Sequence, residues 1–332
     1  MILAGDVGGT KTVLALYEKD RSASDGAVRE IRFENANYRS LEAVISEFLR
    51  ETNSSPDAAF LGVAGPVKKQ QAQVTNLPWV VSAEAIRSAF GLSKVLLLND
   101  LESTAHAVPY LGRDDLCTLN EGSTDPHGNI VVIAPGTGLG IAFLVWTGER
   151  YKAFASEGGH TSFSPRDPRQ MELLQFLDHR YGHVSFERIC SGGQLPNVYD
   201  FLLEKGRYPE PAWLREELAH APDRTPIIVR AALERKANIC EAAVDLFVHV
   251  LGTAIGNMAV TLLPTGGIYL GGGIPPRILN RLQKPDFLFA IADKGRFRSL
   301  CDSMPVHVIL NTNAALQGAA GFGLKTLAQP SH

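Results

Sequence analysis

Ile2-Leu3-Ala4-Gly5-Asp6-Val7-Gly8-Gly9-Thr10-Lys11-Thr12-Val13-Leu14-Ala15-Leu16-Tyr17 opens the chain. Its pattern returns at Ile130-Val131-Val132-Ile133-Ala134-Pro135-Gly136-Thr137-Gly138-Leu139-Gly140-Ile141-Ala142-Phe143-Leu144-Val145. Each stretch is an apolar run, a turn centred on Gly-Thr, and a second apolar run. Short runs rich in Val, Ile and Leu and bounded by glycine read as strands, so each copy predicts a β-hairpin. A turn stripped of side chains lets backbone N–H groups and a Thr hydroxyl approach an anion closely. Two such turns suggest two clamps on one polyphosphate, with Asp6 placed to reach a water bound to Mg²⁺.

The commoner phosphate motifs are absent. No Gly-Lys dipeptide occurs, which removes the P-loop. Gly136-Thr137-Gly138-Leu139-Gly140 is followed by apolar, β-branched residues, whereas a dinucleotide fold needs a helix N-terminus there.

Around these hairpins the elements alternate. Strands are predicted at 2–7, 12–18, 28–34, 58–63, 94–98 and 150–155, and helices at 40–51, 82–90 and 101–108. Ser40 is a good N-cap for the first helix. Beyond residue 155 the chain reads mostly as helix. Met171, Leu174, Leu177 and Tyr181 form one apolar stripe, and Leu233, Ala237, Cys240, Val244, Phe247 and Val248 another in a long stretch ending near Pro264. Both read as core.

A length of 332 residues is ample for two domains, and 45% hydrophobic with 20% charged residues is ordinary for a globular protein. A net charge of -3 gives no reason to expect nucleic-acid or membrane partners. No apolar run is read as long enough to span a membrane. Cys117, Cys190, Cys240 and Cys301 form no CxxC pair and read as reduced thiols of a cytoplasmic protein. A strand entered at Ile2 leaves no room for a signal peptide or a leading DNA-binding domain.

Three further spots carry chemistry. Asn99-Asp100 follows a buried strand, at the rim where open α/β sheets hold ligands; equally, these residues can simply cap the next helix. Glu157-Gly158-Gly159-His160 can aim a carboxylate and an imidazole at one small polar molecule. Gly271-Gly272-Gly273-Ile274-Pro275 follows a strand at 267–270 and reads as a flat turn against a purine or ribose, with a Pro-started helix whose N-terminus would face phosphate.

Together these segments resemble the bacterial glucokinases of the hexokinase and actin-like ATPase superfamily, over nearly the whole chain. The resemblance implies an α/β, two-domain actin-like ATPase (ribonuclease-H-like) fold with a ligand cleft between the domains. It places residues 1–110 plus 301–332 in a small domain and 111–300 in a large one, with Asn311 to Leu327 returning to the small domain as a helix. Asp6, Gly8, Gly9, Thr10 and Lys11 match the first phosphate motif, Gly136, Thr137 and Gly138 the second, and Gly271, Gly272 and Gly273 the adenosine motif. Asn99, Asp100, Glu157, His160 and Glu187 match the sugar-binding residues, with Asp100 as general base. The implied ligands are ATP, Mg²⁺ and glucose, and the implied assembly is a homodimer.

Lys11 stands where many such proteins carry Asn, and it can touch phosphate or simply be solvated. Gly-Gly-Thr-Lys is more typical of a sibling group of sugar kinases and sugar-responsive repressors, but Thr161 to Arg166 lacks that group's cysteine cluster, so no structural zinc is expected; a repressor role is not expected either, since no leading DNA-binding domain is read. A sugar hydroxyl is a poor nucleophile, and phosphoryl transfer needs in-line placement and neutralised charge. Asp100 can take the hydroxyl proton. The competing readings are a kinase for another neutral hexose, an actin-like or chaperone-like ATPase, and a non-catalytic sugar sensor. The second needs neither Asn99-Asp100 nor the Glu157, His160 and Glu187 set, and the third needs neither Asp100 nor the two Gly-Thr turns.

Overall fold

The computed structural model describes residues 1–328; the last four residues of the segment expected at 301–332 lie outside them. The strands are β1 Ile2–Val7, β2 Lys11–Tyr17, β3 Arg29–Glu34, β4 Ala58–Val63, β5 Val67–Lys68, β6 Gln71–Gln73, β7 Val80–Ser82, β8 Lys94–Asn99, β9 Leu116–Asn120, β10 Ile130–Pro135, β11 Leu139–Trp146, β12 Tyr151–Ser156, β13 Gly267–Leu270 and β14 Val306–Ile309. The helices are α1 Leu41–Thr52, α2 Ala83–Phe90, α3 Asp100–Ala107, α4 Pro168–Tyr181, α5 Leu195–Glu204, α6 Ala212–His220, α7 Thr225–Leu233, α8 Asn238–Leu262, α9 Leu279–Leu282, α10 Pro285–Ala292, α11 Arg298–Asp302 and α12 Ala314–Leu327.

The duplicated hairpin is the seed of a duplicated sheet. The first sheet runs β3-β2-β1-β4-β8, and the second β12-β11-β10-β13-β14-β9. In each, three strands form an antiparallel meander, and two more join the hairpin's first strand in parallel. A small sheet of β5, β6 and β7 sits beside the first; its two- and three-residue strands leave too little pattern to read from sequence.

Both faces of β1 are buried, which explains its nearly continuous apolar run. Leu3 and Val7 join α1's Val44, Ile45 and Phe48 on one face, while Ile2 and Ala4 meet Leu316, Ala319 and Ala320 of α12 on the other. As expected, Ser40 caps α1, its Oγ accepting from Ala43 N–H at 3.4 Å. The C-terminal helix packs on β1, β4 and α3. Its small residues allow that: a Cβ at Gly318 would overlap the carbonyl oxygen of Ser103 in α3.

Several expectations are corrected. The return cannot begin at residue 301, because β14 at Val306–Ile309 pairs with β13 and β9 in the second sheet. The stretch from Leu233 to Pro264 is two helices, broken where Arg235 takes a left-handed φ of 54°. In α4 the buried stripe is Gln170, Leu173, Phe176 and Leu177, leaving Met171 52% exposed. No α-helix starts at Pro275. Ile274 and Pro275 each precede a proline, which disfavours the α region, and only a turn separates the glycines from the four-residue α9. Finally, α8 at 25 residues is long and apolar enough to cross a membrane, yet 78% of its apolar window is buried in the protein. It is a core helix packed on α5, α7 and α10.

Gly318→Ala forces α3 and α12 apart, and overpacking of this kind costs about 1–3 kcal/mol. The denaturation midpoint should fall accordingly. An unchanged midpoint would mean that the two helices have room between them.

Candidate active site

Three parallel strands of the first sheet end level with one another, Val7 opposite Val63 and Val63 opposite Asn99. Asp6 and Asn99-Asp100 therefore share the carboxyl end of the sheet, where open α/β sheets hold ligands. Asn99 caps α3: its Oδ1 accepts from the N–H groups of Leu101 (3.0 Å) and Glu102 (3.4 Å), and its Nδ2 donates to Gly65 O (3.0 Å). The capping reading thus holds for Asn99. Asp100 is the first residue of α3, and its Oδ1 accepts from Leu101 N–H at 2.8 Å.

Burial raises the Asp100 carboxyl above its ordinary value, opposed by these hydrogen bonds. Asp6 is pushed up to about 6 by burial, with the Asp100 charge adding to the rise and Lys11 opposing it. Lys11 opens β2, two residues before Val13, the strand partner of Asp6. Among the described residues no protein group donates a hydrogen bond to the Asp6 carboxylate, and no cluster of three metal-ligating side chains is found. A lone carboxylate suits Mg²⁺, which keeps most of its waters and binds mainly through substrate phosphates.

In the first turn Gly8 N–H donates to Lys11 O at 2.9 Å. The Thr75 carbonyl packs so closely that a Cβ at Gly9 would lie 2.7 Å from it. The second turn closes with Gly136 N–H donating to Gly138 O at 2.8 Å. Leu139 N–H donates to Glu187 Oε2 at 2.9 Å, so one carboxylate oxygen of Glu187 is spent on this hairpin. The other lies 3.7 Å from His160 Nε2. Segment 157–163 is tied to 184–186 by Phe163 N–H to Val184 O and Phe186 N–H to Thr161 O, which brings Glu157, His160 and Glu187 together. The Glu157 and His160 side chains face solvent.

Gly271 N–H donates to Ile133 O at 2.9 Å, and Gly272, with φ of 80°, lies against the Pro135 carbonyl. The triple-glycine turn is thereby seated beside the second Gly-Thr turn. Helix α3 packs on β11 and β12, the strands leading into Glu157, which unites both halves of the residue set. Two contributors carried no sequence signal: Asn35, which holds the first turn, and Gly192, whose N–H donates to Gly136 O at 2.7 Å. Both act through contacts to residues far along the chain.

Paired hairpin turns on duplicated sheets, with carboxylates at the carboxyl end of the first, are the architecture of the actin-like ATPase fold. The sequence model of the Glucokinase family matches residues 3–326. The glucokinase of Nostoc punctiforme is 35% identical, over 96% of this chain and 98% of its own. The structure of a glucokinase from an Antarctic psychrotroph is 30% identical, with a TM-score of 0.86 over 97% of this chain and 98% of that one. A ROK family glucokinase from Streptomyces griseus in complex with glucose and AMPPNP shares the fold at 19% identity, with a TM-score of 0.60 over 97% of this chain and 98% of that one. The chain belongs to the glucokinase family.

A carboxyl raised from 3.8 to about 6 destabilises the fold once ionised. The cost is absent below the unfolded value, grows between the two values and is complete above about 6. Without metal or nucleotide, Asp6→Asn should therefore raise Tm at pH 8. The gain should shrink as pH falls through 6 and vanish near pH 4. A gain independent of pH, or a loss at pH 8, would contradict the burial of an ionised Asp6.

Proposed function

We propose that this chain transfers the γ-phosphoryl group of ATP to the 6-hydroxyl of glucose, giving glucose 6-phosphate and ADP, with Asp100 as general base. The observation that carries this reading is a carboxylate on the first residue of α3, at the carboxyl end of the sheet that bears the first Gly-Thr turn, with α3 itself packed on the hairpin that bears the second. A base is most effective when its affinity for a proton approaches that of its surroundings, and burial moves Asp100 in that direction.

The N–H groups of the two turns, with Thr10 and Thr137, are assigned to the polyphosphate, and Gly271 to Gly273 to adenosine. Glu157, His160, Asn99 and Glu187 are assigned to glucose. Of these, Glu157 and His160 have free side chains, whereas Asn99 and Glu187 also hold the protein backbone. Asp6 would hold Mg²⁺ through water, where the ion neutralises phosphate charge, and Lys11 adds a cation on the same side.

In the transfer, glucose O6 attacks the γ-phosphorus as the bond to the bridging oxygen of ADP breaks, and the O6 proton passes to Asp100. A site that reads hydroxyls by hydrogen bonds rejects a sugar lacking one, because a buried partner is left unpaired. Residues 1–110 with 311–328 and residues 111–310 are assigned as two domains that close over sugar and nucleotide, excluding water as a rival acceptor. A homodimer in the cytoplasm completes the proposal, and the four unpaired cysteines suit that reducing compartment.

Asp100→Asn keeps the shape and one acceptor oxygen but cannot take a proton. In a coupled assay kcat should fall about 10²–10⁴-fold, while glucose Kd measured by calorimetry changes little. A kcat within a few-fold of the parent would remove Asp100 as base. Phosphorylation of another hexose in preference to glucose would reassign the substrate.

A further inference from the structure

We propose that Asn35 is a positioning residue that aims the backbone N–H groups of the first turn at the nucleotide phosphates; this rests on the assignment of that turn to ATP. Asn35 follows β3 and is 1% exposed. All its polar groups are engaged. Its N–H donates to Thr10 O at 2.9 Å, its Nδ2 donates to Gly8 O at 2.8 Å, and its Oδ1 accepts from Thr12 Oγ1 at 2.8 Å. Its own carbonyl accepts from Tyr38 N–H at 3.0 Å. The Gly8 carbonyl can only accept, so the amide NH₂ group must face it, and Oδ1 is left to accept from the fully buried Thr12 hydroxyl.

A trans peptide points its C=O and N–H in opposite directions. Holding the Gly8 carbonyl on Asn35 therefore turns the Gly9 N–H away from Asn35, and holding the Thr10 carbonyl does the same for Lys11 N–H. The hairpin itself does not supply this hold. Gly8 N–H donates to Lys11 O, but the reciprocal bond from Lys11 N–H to Gly8 O is not made, and Asn35 takes that carbonyl instead. Among the described residues the N–H groups of Gly9 and Thr10 donate to no protein acceptor, which leaves them for a ligand.

The second turn has the same device built from backbone. Gly136 O accepts from Gly192 N–H at 2.7 Å, which turns Thr137 N–H the other way, and that N–H also donates to no protein acceptor among the described residues. Both hairpins thus have the carbonyl of their first glycine tied back by a group from outside the hairpin. Only the first tie is a side chain, and so open to substitution.

Calorimetric titration with Mg·AMP-PNP, adenosine and glucose separately tests this on the whole protein. Asn35→Asp removes the donor to Gly8 O, and Thr12→Val removes the hydroxyl that holds Oδ1 and so steadies the amide, without adding charge. Hydrogen bonds to an ionised partner carry about ten- to hundredfold in affinity. Asn35→Asp should lose AMP-PNP affinity on that scale, and Thr12→Val by a smaller factor, with adenosine and glucose Kd within twofold of the parent. Thr12→Ser should restore AMP-PNP binding. In steady state the ATP KM should rise while the glucose KM holds. If Asn35→Asp does not fold, Thr12→Val and Thr12→Ser carry the test. AMP-PNP binding within twofold of the parent in each folded variant would overturn the role of Asn35. A parent protein that binds adenosine as tightly as AMP-PNP would instead overturn the assignment of the turn to phosphate, and this inference with it.

Discussion

Helix α3 is packed without slack, and the position of Asp100 depends on it. Three glycines from three parts of the chain receive this helix. A Cβ on Gly62 of β4 would lie 2.8 Å from Ser103 Oγ, and one on Gly140 of β11 2.7 Å from Leu101 Cδ2. Gly318 of α12 meets the Ser103 carbonyl, and Ser103 Oγ donates to Ala315 O at 2.9 Å. The first sheet and α12 hold one side of α3, and the hairpin of the second sheet holds the other. The carboxylate at its N-terminus is therefore located by both halves of the molecule. Interiors packed to this density transmit displacement instead of absorbing it.

That rigidity sustains an arrangement costly in itself. Asp6 and Asp100 stand near one another in a poorly solvated place, and each disfavours ionisation there. Lys11 relieves part of the cost on one side. The remainder is the cost that a Mg²⁺ ion held at Asp6, as proposed above, would offset. Chemistry and stability pull in opposite directions at the carboxyl ends of β1 and β8, a common feature of active sites.

Much of this was legible because the signals are local. Period-two and continuous apolar runs marked β1, β2, β4, β8, β10 and β11, and Ser40 marked the start of α1 to the residue. The Gly-Thr turns, Asn99-Asp100 and Glu157 to His160 stood out because polar or flexible residues interrupt buried strands there. Asn35 was invisible: a polar residue in a loop has no distinguishing pattern, and its partners Gly8 and Thr12 lie 27 and 23 positions away. Gly192 is tied to Gly136 in the same non-local way. Strand β14 was missed although β13, equally short, was not: glycines bound β13 on both sides, and none bounds β14. The helix expected at Pro275 failed because a second proline follows the first, and the α4 stripe was misplaced because Leu174 and Leu177 fit two overlapping helical faces.

The most direct test of two turns clamping one polyphosphate with Asp100 at the sugar is a crystal structure with glucose and AMP-PNP bound together. The terminal phosphates should lie between the N–H groups of Gly9 and Thr10 on one side and Thr137 and Gly138 on the other, with glucose O6 in hydrogen-bond reach of Asp100. Phosphates resting on one turn alone, or O6 directed to Glu157 or Glu187 instead of Asp100, would contradict the account.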